Sequence, residues 1–180
     1  KTTDQLNYYG RGPFENYQDR KAAAFTDLYK STVGDQYVPY IRPQENGYKT
    51  GIRWAAFADK NANGLLVVSS KSNQQNLGLG ASHSPNEDFD ITADIDYSKE
   101  NPKANFSKHT IDIKEQDLVQ LNIDLQQRGL AGDDSWYSKP QKEYQIDPSK
   151  THQYEFYLIP FIQGNNELFV KKFKEYFIGE

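Results

Sequence analysis

The sequence predicts an all-β sandwich, and three observations predict it. Short runs alternate apolar with polar residues or are apolar throughout, the two patterns of half-buried and central strands. Turn-forming pairs punctuate these runs at Asn46-Gly47, Asn63-Gly64, Gly78-Leu79-Gly80, Gly132-Asp133 and Asp147-Pro148. Apolar residues make up only 36% of the chain, so 13 Tyr, 10 Phe and 2 Trp must fill much of the core.

In chain order, Asp19 to Lys30 opens with a capping Asp and contains three alanines, a helix signal. Its Phe25, Asp27, Tyr29 alternation favours an extended segment instead. Gly51 to Phe57 is mixed but extended in character, and Gly64 to Val68 is an apolar run suited to a central strand. Asn105 to Ile113 reads as a further strand. Val119, Leu121, Ile123 and Leu125 alternate with Gln120, Asn122 and Asp124, giving a strand with one polar face. Tyr154, Phe156 and Leu158 do the same until Pro160, which ends that strand or puts it at an edge. Phe169, Phe173 and Phe177 recur every four residues among Lys171, Lys172 and Lys174, the pattern of a short amphipathic helix. No repeat or low-complexity linker divides the 180 residues, so residues 1–180 read as a single β-sandwich domain or a fragment of one.

Composition excludes several classes of function. The net charge is −4, from 21 basic and 25 acidic residues, so no basic excess is available for nucleic-acid phosphates. No apolar run is long enough to span a membrane as a helix. The chain has no cysteine, which removes disulfides and thiolate metal sites. Cytoplasmic and periplasmic homes of the bacterial type both fit. The first residue is Lys1, so a mature or excised piece is the expectation and targeting is not legible.

Three stretches are dense in side chains of fixed purpose. Arg11 to Arg20 holds two arginines and two acids behind a Gly-Pro turn. Arg11, Glu15 and Asn16 could contact a hydroxylated ligand; a self-satisfied salt-bridge and turn network is the preferred alternative. Tyr37 to Gly47 is stiffened by two prolines and offers Gln44, Glu45 and Asn46, with a structural loop again preferred. Gly129 to Trp136 is the sharpest. Gly132 permits a tight turn, and Asp133, Asp134 and Ser135 can bond local backbone. Trp136 then either plugs the core or stands as a platform for the C–H face of a sugar ring, and spacing leaves both open.

Self-contained catalysis finds little support. Asp133 and Asp134 are neighbours on a turn rather than the two separated carboxyls of a glycosidase pair. His83, His109 and His152 stand far apart with no metal-ligand spacing, and neither a G-x-S-x-G elbow nor a phosphate loop occurs. No residue of this chain is assigned a catalytic or metal-binding role.

Together, Gly10 to Arg20, Asp35 to Tyr40 with Pro43 to Gly47, and Gly132 to Trp136 resemble, in order, the small-chain domain of glycoside hydrolase family two β-galactosidases. The resemblance covers roughly residues 8–160, with 161–180 as an extension. It implies a galactose-mutarotase-like β-supersandwich, of which this chain would be the C-terminal part, since the first motif begins so early. Strands missing upstream would leave a sheet edge or apolar face open, and the Phe-rich helix is expected over that edge.

The resemblance further implies a parent enzyme that hydrolyses terminal β-D-galactosides with retention. The catalytic glutamates and the Mg2+ and Na+ sites would lie in a separate TIM-barrel domain, and the parent would be a homo-oligomer. Trp136 would form an aromatic wall on the aglycone side, aimed by Asp133, Asp134 and Ser135. Two further functions stand beside this one. A free-standing carbohydrate-binding module would use Trp136 with Tyr137 or Tyr40. A mutarotase-like enzyme would need a paired His and Glu that no motif supplies.

Overall fold

The computed structural model describes residues 1–41, 44–73, 76–89, 109–132 and 139–179. Among the described residues, eight strands form two antiparallel sheets: β1 (Thr3–Gly12), β2 (Phe25–Thr32), β3 (Lys49–Ile52), β4 (Trp54–Asp59), β5 (Gly64–Ser69), β6 (Leu77–Ser82), β7 (Gln120–Asp124) and β8 (Phe156–Phe161). The larger sheet runs β2-β1-β4-β5-β8 and the smaller β3-β6-β7.

The two sheets face each other across one core. Leu6 and Tyr8 of β1, Ala55 and Phe57 of β4 and Val67 of β5 meet Ile52, Leu77, Leu79 and Ala81 of the smaller sheet. Leu121 and Ile123 pack on this core from β7, as their alternation predicts. The opposite face of the larger sheet carries Trp54, Ala56, Ala58, Leu66 and Val68. Strands buried on both faces read as continuous apolar runs, which is why β4 and β5 show no alternation.

The second face is covered by α1 (Asn166–Phe173), which continues as a π-helical turn over Lys174–Ile178. Asn165 caps it, its side chain accepting from the Leu168 N–H. Phe169 is buried at 2% exposure, with its ring centroid 5.5 Å from Trp54 and 4.9 Å from Phe161. Phe173 and Phe177 complete the stripe and stack at 4.7 Å. The helix therefore closes the outer face of the sheet, whereas the sequence reading puts it over an edge. A stripe of aromatic rings needs a broad apolar surface, and the face offers far more of it than an edge does.

Other elements refine the expectations. The run from Gly51 to Phe57 is two strands, because the chain breaks at Arg53 and passes from the smaller sheet to the larger one. A register shift between Lys49 and Ile52, with Gly51 at φ +66°, marks the irregularity. Gly78 and Gly80 lie inside β6 and form no turn. A Cβ on Gly78 would collide with the Tyr48 ring, so this glycine exists for close approach. Asp19 to Lys30 is extended only from Phe25 onward. The described end of the expected 105–113 strand is a 3-10 turn at Thr110–Asp112; the rest lies outside the described residues. Pro160 falls within β8, an edge strand, where the missing N–H breaks no ladder. The longest strand, β1, has no counterpart in the pattern reading, since its inward positions are Leu6, Tyr8, Gly10 and Gly12 and only one is plainly apolar.

Candidate functional site

The first two motif stretches are far apart in the chain and knit together in the fold. Glu15 is the centre, with its side chain 4% exposed. Its carboxylate accepts from the Gly47 N–H at 2.9 Å, Arg20 Nη1 at 3.1 Å and the Tyr17 hydroxyl at 3.3 Å, and from the Tyr40 hydroxyl. A buried carboxylate is tolerated when donors surround it, and four do so here. Gly47 has φ +73°, and a Cβ there would meet the Gln36 carbonyl, so the turn that aims its N–H at Glu15 requires glycine.

Asn16 is fully buried. Its Nδ2 donates to the Arg11 and Phe14 carbonyls at 3.2 and 3.0 Å. Its Oδ1 accepts from both the N–H and the hydroxyl of Thr50, at 2.9 and 2.6 Å. The Asn16 N–H also reaches the Tyr48 carbonyl at 2.7 Å. Tyr17 stacks on Tyr48 at 5.7 Å and shares its hydroxyl with Glu45 at 3.2 Å, and desolvation pushes its pKa up. Lys49 lies beneath this group at 4% exposure, with Nζ donating to the Gly47 carbonyl at 3.0 Å. Burial pushes its pKa down to about 8 despite the nearby Glu15.

The third stretch is tied to the same cluster. Asp19 of the first motif accepts from the Ala131 N–H at 2.7 Å, and the Gly129 N–H donates to the Tyr144 carbonyl at 2.8 Å. Gly129 approaches Asp19 so closely that a Cβ would lie 2.4 Å from its carboxylate. Ala131 and Gly132 both have positive φ, at 67° and 115°. The chain thus enters residues 133–138 from an anchored turn. Asp133, Asp134, Ser135 and Trp136 themselves lie outside the described residues.

Arg11, unlike the buried Glu15 and Asn16, is only partly buried. Its Nη1 donates to the Ala24 and Lys21 carbonyls at 2.8 and 3.3 Å, and its side chain lines a cleft of about 370 Å³. Lys21, Arg53, Thr50, Gln127 and Tyr144 share that lining. Among the described residues, no group of three or more His, Cys, Asp or Glu side chains is placed to hold a metal ion. Motif reading does not single out Asp19 as an anchor, or Lys21 and Arg53 as cleft residues. Asp19 is legible only as part of a dense motif, and Arg53 stands in a strand run with no local mark.

Comparison with known proteins gives one consistent answer. The family described as β-galactosidase small chain matches residues 1–158. A β-galactosidase of Priestia megaterium is 32% identical over 157 residues, 87% of this chain and 13% of that protein. A β-galactosidase of Pseudoalteromonas haloplanktis is 29% identical over 154 residues, 86% of this chain and 12% of its own. One from Streptococcus thermophilus is 26% identical over 155 residues, again 86% of this chain and 13% of that protein. The chain spans about an eighth of the length of these curated relatives.

Proposed function

This chain belongs to the β-galactosidase small-chain family, and on that premise we propose that it is the C-terminal domain of a retaining β-galactosidase, presenting Trp136 to a sugar site built mostly by a partner domain. The observation that carries the reading is the convergence of the three motif stretches. Glu15 and Tyr17 bind the second stretch through Gly47 and Glu45, and Asp19 binds the third through Ala131. The chain on both sides of residues 133–138 is held, by Asp19 at the Ala131 N–H and by the Gly129 N–H at the Tyr144 carbonyl. Such support is what an aromatic platform requires, because a loosely held ring orients nothing.

The mechanism is positioning. Trp136 would stack on the C–H face of the substrate, and Asp133, Asp134 and Ser135 would hold the turn that aims it. General acid and nucleophile would come from carboxylates of the TIM-barrel domain. The buried Glu15 is no substitute, since its side chain is 4% exposed and enclosed by four protein donors. The Mg2+ and Na+ of the family reading belong with that barrel. No described cluster of this chain offers a three-ligand set, and no step here runs through a metal. The whole enzyme would hydrolyse terminal β-D-galactosides as a homo-oligomer.

A second reading is a carbohydrate-binding module acting alone, with Trp136 and Tyr137 or Tyr40 completing a site within this chain. Titrating the chain with galactose and lactose, following Trp fluorescence and heat beside a β-galactoside hydrolysis assay, separates the two. Neither turnover nor millimolar binding is the expected result. Saturable galactose binding lost in Trp136→Ala, still without turnover, would establish the module. Turnover would overturn both.

A further inference from the structure

The cleft lined by Arg11 has the largest net positive charge of the concavities among the described residues. It carries Arg11, Lys21 and Arg53 against one acid, Glu143. That is a local excess of positive charge on a chain whose net charge is −4. None of the three cations forms an ion pair among the described residues. Each is held in place by other means. Arg11 is fixed by two backbone carbonyls on one nitrogen, leaving its other nitrogens for a ligand. Lys21 donates to Gln18 Oε1 at 2.5 Å. Arg53 stacks over the Tyr9 ring at 5.0 Å, and its backbone N–H bonds the Tyr9 carbonyl at 2.8 Å.

Uncompensated, pre-ordered cations in a concave site are the arrangement that recognises an oxyanion. The rest of the lining is of another kind. Gln18, Asn76, Gln126 and Gln127 supply amides, and Thr26 supplies a hydroxyl. These groups can both give and accept hydrogen bonds, as a polyhydroxylated ring requires. The Asn76 Oδ1 is a buried acceptor without a partner among the described residues. The volume of about 370 Å³ lies at the small end of ligand sites, which suits a monosaccharide.

We propose that this cleft binds an acidic sugar, a hydroxylated ring carrying one carboxylate or phosphate. The anionic group lies among Arg11, Lys21 and Arg53, and the ring hydroxyls meet the amides. The charge state of Lys21 fits the same account. Burial and the neighbouring Arg11 both pull its pKa down, so a bound anion relieves a repulsion already present. The proposal needs no residue of the 133–136 stretch.

The test is a calorimetric titration of the chain with galacturonate, galactose and inorganic phosphate at low and high salt. Galacturonate is expected to bind at least 10-fold more tightly than galactose or phosphate, and to weaken as NaCl is raised. Lys21→Gln and Arg53→Gln should each weaken galacturonate at least 5-fold while leaving the melting temperature near that of the parent chain. Galactose binding as tightly as galacturonate would overturn the role of the cations. Phosphate binding equally well would overturn the role of the ring. No saturable binding of any of the three, or galacturonate affinity unchanged in both variants, would overturn the site.

Discussion

The two ends of this domain are buried by opposite means. Over the outer face of the larger sheet, α1 and the π-helical turn after it lay Phe169, Phe173 and Phe177 against the cluster of Trp54, Leu66 and Phe161. There the interactions are dispersion and the removal of apolar area from water, which depend on volume more than direction. At the motif end, Glu15, Asn16, Thr50 and Lys49 are buried as deeply, but each through directed bonds to a specific partner. Apolar packing tolerates exchange of one shape for a similar one. A buried polar network does not, because a lost partner leaves a desolvated group behind. A rigid frame for a ligand-contacting turn is better made from the second kind of burial.

Mutations can break or sharpen this contrast. The largest effect is expected at the helix. Phe169→Ala should destabilise the chain by about 3–5 kcal/mol in chemical denaturation, while Phe169→Leu, which keeps most of the volume, should cost far less. Equal losses for the two would mean that the face is not held by volume.

Glu15→Gln comes next. It preserves shape almost fully yet withdraws a carboxylate from the Gly47 N–H, Arg20, Tyr40 and Tyr17. A loss of about 1.5–3 kcal/mol is expected, more than Phe169→Leu despite the smaller change in shape. A neutral outcome would show that the charge at the network's centre is dispensable.

The smallest effect, read per pH unit, is a pH dependence. Lys49 has a folded-state pKa near 8, below its ordinary 10.5, so between these values the unfolded chain binds more protons than the folded one. Stability from this group is therefore fully present above about 10.5 and is lost as pH falls through 8. The slope is at most about 1.4 kcal/mol per pH unit. Lys49→Met should flatten the profile in that window; an unchanged slope would assign it to other groups.

Sequence and structure agree most where burial is apolar. The Phe169, Phe173, Phe177 stripe, the alternation of β7 and the apolar run of β5 are each legible, because periodicity reports one-sided or two-sided burial directly. What periodicity misses is burial through tyrosine, glycine and polar residues. Strand β1 escapes it for that reason, and Gly78 and Gly80 read as a turn when they are the floor on which Tyr48 packs. At the site, the motif stretches are legible as dense and ordered, but not the pairing of Glu15 with Gly47 or of Asp19 with Ala131. Those bonds join residues 32 and 112 positions apart, and no local pattern encodes them. Arg53 enters the cleft only because the chain changes sheets there.

The most direct test of the central proposal is Trp136→Ala in the longer enzyme proposed to carry this chain, with KM and kcat measured on a β-galactoside. Losing the stacked ring should weaken substrate binding by about 1–3 kcal/mol, roughly a 5- to 150-fold rise in KM, with the fold intact. KM and kcat both unchanged would contradict the account and remove Trp136 from the sugar site.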